Sequence, residues 1–216
     1  MRKLNLLKSL PKVKRSLVNR QKKKNYKIIR ISRKYGQKYF DGDRKYGYGG
    51  YKYDGRWKSV AQDIIKIYNL KKHSKILDVG CAKGFLVKDL LDLNMDAFGV
   101  DISNYAIKNC HRDVIGRLSS ANAKDLPFQS NSFDFVISLN TLHNLKKKEC
   151  LDALKEIQRV SKGKSFVQVD SYRNSKEKKT FLNWVLTARF HDYPKKWKKL
   201  FKEAGYTGDY NWTIIK

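Results

Sequence analysis

The stretch Ile76-Leu77-Asp78-Val79-Gly80-Cys81-Ala82-Lys83-Gly84-Phe85 sets a carboxylate two residues ahead of a glycine-bounded loop. Gly80 and Gly84 lack a Cβ, so the backbone can turn sharply there and let a ligand approach closely. From Phe85 onward the residues read as a helix, whose first amides have no intrahelical partner. A dinucleotide fingerprint would read G-x-G-x-x-G and a phosphate-binding P-loop would end in G-K-[ST]; this loop has neither. A carboxylate so close to the loop would repel a pyrophosphate. It suits a ligand that carries an ammonium group.

A second acid stands at the end of the next apolar run, Phe98-Gly99-Val100-Asp101-Ile102-Ser103. A carboxylate in that place can accept from two ribose hydroxyls, the logic by which nucleotide folds hold a sugar. Further on come Asn122-Ala123-Lys124-Asp125-Leu126-Pro127-Phe128 and Ser132-Phe133-Asp134-Phe135-Val136. Taken singly, Asp78 or Asp101 could be no more than the cap of the helix that follows it. The order of all four segments carries the signal.

Those residues need a scaffold, and the hydrophobic pattern supplies one. Short apolar runs over 75–79, 97–100, 133–139 and 165–169 read as strands, with a weaker one over 116–120. Helical patterns fall between them, over 59–70, 85–93, 104–112 and 147–160. The tail adds helices over 176–186 and 195–204 and a last strand within 206–215. This alternation predicts an α/β fold, a doubly wound, mostly parallel sheet with helices on both faces.

The series Asp-x-Gly-x-x-x-Gly, Val-Asp-Ile-Ser, Asn-Ala-x-x-Leu-Pro-Phe and Ser-Phe-Asp-x-Val resembles the class I methyltransferases that use S-adenosylmethionine (SAM). Within them it is similar to the broad group that mostly methylates small molecules. The resemblance covers roughly residues 60–170 and implies a Rossmann-like methyltransferase sheet with SAM as cofactor. It implies that Asp78 and the loop Gly80, Cys81, Ala82 and Gly84 face the methionine part. Asp101, with Ile102 beside it, would hold the ribose. Asn122 and Ala123 would meet the adenine, and Asn140 would lie beside the reactive methyl. Ala82 departs from the family's more usual glycine. The usual sheet has seven strands ending in an antiparallel hairpin, for which the chain leaves little room unless 183–190 contributes a strand.

Methyl transfer needs alignment first and a base only where the acceptor must lose a proton. His143, in Asn140-Thr141-Leu142-His143-Asn144, is the expected base, and Asn140 shares the catalytic assignment. Asp170, Tyr172 and Arg173 follow the next strand and could line an acceptor pocket. The Tyr- and Gly-rich stretch 41–58 is expected to fold over the cofactor as a lid, with Tyr48, Tyr51 or Arg56 touching SAM or acceptor. Its Phe40-Asp41-Gly42-Asp43-Arg44-Lys45 run resembles methyltransferases linked to surface-glycan assembly.

Charge adds a further expectation. The 48 Lys and Arg against 20 Asp and Glu give a net charge of +28. Residues 1–40 contain no acid, and are expected to form a basic N-terminal arm ahead of a methyltransferase domain over 59–216. Such an arm attracts phosphates, whether of RNA or of an anionic membrane surface. Leu4, Leu7 and Leu10 share one face before Pro11 interrupts the pattern. Cys81, Cys110 and Cys150 are widely spaced, which points to no zinc site or disulfide framework and fits a reducing, cytoplasmic setting. No metal is expected. The leading expectation is methyl transfer to an O or N of a small-molecule or sugar-like acceptor. RNA methylation is the alternative, although the Asn/Asp-Pro-Pro-aromatic signature that amino-directed nucleic-acid enzymes share is missing after residue 139. The other alternative is an inactive basic adaptor, against which Asp78, Gly80, Gly84 and Asp101 argue.

Overall fold

A computed structural model describes residues 1–11 and 17–215 of the chain. Six strands form one sheet: β1 (Lys75–Val79), β2 (Asp96–Asp101), β3 (Leu118–Ser120), β4 (Phe135–Leu139), β5 (Ser165–Ser171) and β6 (Asp209–Ile214). Their spatial order is β3-β2-β1-β4-β5-β6, and every pairing between them is parallel. The order reverses between β1 and β4, which opens a crevice at the carboxyl ends of these two strands.

Alternate residues of the strands bury on opposite faces, as a period of two requires. Ile76, Ala97, Phe135, Ile137 and Phe166 join one core, with α4 (Lys58–Tyr68) and α5 (Phe85–Asp92) packed over them. Leu77, Val79, Val136, Val167 and Val169 join the other, beneath α7 (Lys147–Val160) and α9 (Pro194–Glu203). Both faces are covered, so the strands carry apolar residues in succession, which is how a buried parallel sheet reads. The expected doubly wound sheet is present.

Among the described residues the sheet holds six strands. Residues 183–190 belong to the end of α8 (Ser175–Trp184) and the irregular chain after it, and β6 pairs directly with β5 from Phe166↔Asp209 to Ser171↔Ile214. The outer edge of β6 is met by the chain's own beginning. Leu4 donates to the Tyr210 carbonyl and Tyr210 to the Arg2 carbonyl, each at 3.0 Å. Arg2 pairs with Asp209 at 2.8 Å.

Described parts of the first forty residues, which the sequence suggested as a basic arm, pack against the fold. Leu6 is fully buried, and Leu4, Leu7 and Leu10 lie against the core beside α4. Three short helices follow, α1 (Leu17–Lys23), α2 (Tyr26–Ser32) and α3 (Gln37–Phe40). Leu17 packs with Phe181 of α8, and the Arg20 guanidinium lies 4.6 Å from the Trp184 ring. Three of the arm's cations, Lys12, Lys14 and Arg15, lie outside the described residues. Among the described residues no helix is long and apolar enough to cross a membrane.

Candidate functional site: a cavity at the sheet switch point

The β1 strand delivers Asp78 and then turns through Gly80, whose φ of 88° a residue with a Cβ rarely adopts. A Cβ on Gly80 would stand 2.1 Å from Thr141 Oγ1, so this glycine is needed for the turn to pack against the chain leaving β4. Sequence reasoning gave it a different purpose, room for a ligand. Gly84, with φ 76°, has the same need on its other side, where a Cβ would meet Leu118 and Val114.

Ala82 holds φ 52°. A left-handed conformation costs an L-residue about 1–2 kcal/mol. The turn is compensated by a charged acceptor: the Ala82 amide donates to Asp101 Oδ2 at 2.8 Å. The other oxygen of Asp101 accepts from the Ser103 amide, also at 2.8 Å. Asp101 is thus fixed by two backbone donors, with lone pairs left on both oxygens for further donors. Burial pushes its carboxyl upward, while these amides draw it back down.

Asp78 is 5% exposed and accepts no hydrogen bond among the described residues. Burial, reinforced by the negative charge of Asp101, pushes its carboxyl up to about 7. A buried carboxylate with no donor is costly unless a cation arrives.

A cavity of about 350 Å³ opens at this point. The predicted residues Gly80, Ala82, Asp101, Ile102, Asn122, Ala123, Asn140 and Tyr48 all line it. Thr141, Asn144, Tyr35, Tyr39 and Phe40 line it too, as do Arg33, Lys34, Glu149 and Arg189. Asn140 sits at φ 55°, with its side-chain oxygen accepting from the Thr213 hydroxyl at 2.7 Å.

Residues 77–168 match the family model described as a methyltransferase domain. Over that segment the chain carries a methyltransferase domain. Among curated proteins, the chain is 28% identical over 151 residues to a demethylmenaquinone methyltransferase of Anoxybacillus flavithermus, covering 66% of this chain and 60% of that one. It is 32% identical over 96 residues to the mitochondrial arginine-hydroxylase NDUFAF5 of mouse, covering 43% and 28%. The chain thus spans less than two thirds of either relative. Among solved structures, the YcgJ protein of Bacillus subtilis superposes with a TM-score of 0.56 at 17% identity, over 67% of this chain and 66% of that one, a likeness of fold.

The cofactor of such a domain is SAM, and the residues present fit it. Its ammonium group would supply a cation to partnerless Asp78, which stands next to the lining residues Val79 and Gly80, and a ribose diol would match the open lone pairs of Asp101. Asn122 and Ala123 border the same cavity. Cys81 is buried, with its thiol pushed well up by burial and by Asp78 beyond it, which suits a packing residue.

The other predicted residues, Asp78, Cys81, Gly84, Tyr51, Arg56, His143, Asp170, Tyr172 and Arg173, are not among those that line this cavity. His143 is 4% exposed. Its Nδ1 accepts from the Asp170 amide at 3.1 Å, and its Nε2 stands 3.2 Å from Asp170 Oδ2. Burial lowers its pKa, with the Asp170 charge opposing. Tyr172 is buried among Phe181, His191 and Tyr193. Arg173 is taken up by Glu177, and Arg56 by Asp54.

The segment after α3 is latched to the cofactor loop. Lys83, nearly buried, reaches both oxygens of Asp41 at 2.8 and 2.7 Å, and Tyr105 donates to the same carboxylate at 2.7 Å. Burial would raise the Asp41 carboxyl, but these donors outweigh it and hold it low. The Ser103 hydroxyl donates to the Tyr35 carbonyl at 2.5 Å. Tyr51 stacks on Phe85, the first residue of α5, at 4.7 Å and lies 4.3 Å from Tyr48.

Five cavity residues before the Tyr/Gly stretch, Arg33 to Phe40, escaped sequence reasoning because residues 1–40 read as an arm. The short apolar clusters Ile28-Ile29 and Tyr39-Phe40 were the available signal that this region packs.

Proposed function

We propose that the chain is a methyltransferase that moves the methyl group of SAM to an oxygen or nitrogen of a small-molecule acceptor. The observation that carries this reading is Asp101: a carboxylate fixed by two backbone amides at the switch point of a parallel sheet, in a cavity it shares with Gly80, Asn122 and Asn140. SAM supplies an electrophilic methyl on a sulfonium; the protein's part is to align a nucleophile with it. In the transfer the carbon–sulfur bond breaks, a carbon–oxygen or carbon–nitrogen bond forms, and the acceptor's proton leaves to solvent or a base. The demethylmenaquinone methyltransferase bears the name of a small-molecule enzyme, which favours an acceptor of that class.

RNA as acceptor is the second reading. It is favoured by the solvent face of α9, where Lys195, Lys196, Lys198, Lys199 and Lys202 stand exposed. Methyl-labelled SAM offered with a metabolite extract and with total RNA, at low and high salt, separates the two. Label in the extract, insensitive to salt, is the expected result. RNA labelling that collapses as salt rises would favour the second reading, because counterion release governs phosphate binding.

His143 serves in this reading as a positioning residue that ties the loop after β4 to β5. His143→Gln is expected to cost about 1–3 kcal/mol of stability through lost buried hydrogen bonds. Turnover per folded molecule should stay within about tenfold of wild type, since general-base removal costs about 10²–10⁴. Denaturant unfolding and initial rates measured on the same preparation check both numbers.

Residues 35–53 act as a cover held by the Asp41–Lys83 ion pair. Asp41→Ala leaves nearly buried Lys83 without its carboxylate, and SAM affinity is expected to fall by about tenfold, the scale of a lost charged hydrogen bond. Calorimetry with S-adenosylhomocysteine (SAH) reads this; unchanged affinity would show that the cover does not touch cofactor binding.

A further inference from the structure

The cavity holds more positive charge than its cofactor can use. Arg33, Lys34 and Arg189 line it, and none of the three forms an ion pair with a carboxylate among the described residues. Of the two carboxylates on the wall, Glu149 is already paired with Lys124 at 2.9 Å and Asp101 with its two amides. SAM brings a sulfonium and an ammonium against one carboxylate, so its arrival adds positive charge.

The two arginines are neighbours in the fold. Arg33 Nη2 donates to the Ala188 carbonyl at 3.0 Å, and the Arg189 amide donates to the His143 carbonyl at 2.8 Å. Both therefore stand by the chain that leaves β4, on the side of Asn140 and Asn144. Three buried polar atoms of lining residues lack partners: Arg33 Nε has no acceptor, Asn144 Oδ1 has no donor, and the Tyr35 hydroxyl is unpaired. A buried group left unmade costs about 1–3 kcal/mol, which a ligand with the complementary atoms would recover.

The geometry points to an acceptor molecule that carries an anionic group, a phosphate or a carboxylate, held by Arg33 and Arg189. The inference rests on the methyltransferase reading above and narrows its substrate class. A guanidinium presents its donors in a planar fork that fits either anion. Asn144 Oδ1 takes a hydrogen bond from a hydroxyl or amine of the same molecule, close to where Asn140 and Thr141 border the cavity. Tyr35, Phe40 and Tyr48 give the wall an aromatic face.

The test follows the arginine side-chain NMR signals of the chain, with and without saturating SAH, during titration with phenyl phosphate, benzoate and phenol. The Arg33 Nε signal is expected to move saturably with at least one of the two anions, and about tenfold more weakly with phenol. The arm that binds more tightly tells phosphate from carboxylate. Arg189→Gln, on an exposed side chain, and Arg33→Gln should each weaken anion binding by about tenfold and leave SAH affinity within about twofold. Equal response to phenol and the anions, or no response, overturns the inference. So does an arginine variant that weakens SAH as strongly as the anion, because the guanidinium would then hold the cofactor's carboxylate. A wild-type chain that binds no SAH sinks the methyltransferase reading itself, a result distinct from these.

Discussion

Asp78→Asn is expected to stabilise the chain without cofactor and to abolish useful SAM binding. The carboxyl of Asp78 is pushed from 3.8 to about 7 in the folded chain by burial and by Asp101. A group that holds its proton more tightly when folded stabilises the folded state at low pH, and that contribution is lost as pH rises from about 4 to 7. Above pH 7 the folded chain keeps a charged, partnerless carboxylate, and a shift of this size is worth up to about 4 kcal/mol. Asparagine carries no charge, so the gain should be about 2–4 kcal/mol at pH 8 and close to zero near pH 4. The same change would remove the counter-charge proposed for the cofactor's ammonium, and SAH affinity should drop by at least about a hundredfold. Unfolding curves at two pH values and calorimetry decide the matter. A variant less stable than wild type at pH 8, or one that binds SAH normally, would mean that Asp78 is a packing residue only.

The second large effect belongs to Asp101. In Asp101→Ala the amides of Ala82 and Ser103 lose their acceptors, and the left-handed turn at Ala82 loses what compensates it. The two hydrogen bonds proposed from the ribose would go as well. At about 1.5–3 kcal/mol for each bond to a charged group, SAH affinity should fall by more than about a hundredfold. Asp101→Asn keeps one good acceptor and should fall between the two. Equal affinity for all three forms would place the ribose elsewhere.

The core of the fold was legible before the structure because its residues obey two periods. Lys75–Val79 and Lys147–Val160 have the bounds that the sequence predicts, since a short run of apolar β-formers and a fourteen-residue amphipathic pattern each admit one element. The helix expected over 104–112 ends at Lys108 and gives way to a short 3-10 turn over 112–114, because polar Asn109 and His111 satisfy local backbone groups instead. The site was legible where it rests on backbone shape. Gly80, Ala82, Asp101 and Asn122 come together as the strand-turn-helix order demands.

What the sequence hid is the part made by contacts between distant segments. Nothing local tells that the chain's first ten residues meet β6, or that Arg33 reaches Ala188 from the far end of the chain. A run of fifteen cations without an acid looks like an arm in one dimension. In three, its Leu6 is wholly buried and its Arg20 lies on Trp184. His143 shows the same limit of a local reading. Its position after β4 suits a base, but only the fold shows that both ring nitrogens face Asp170.

The structure of the complex with SAH tests the central claim most directly. The ribose hydroxyls should lie about 2.5–3.0 Å from the oxygens of Asp101, and the amino group should approach Asp78 within about 4 Å. SAH seated away from Asp101, or a cavity that stays vacant at saturating SAH, would contradict the account.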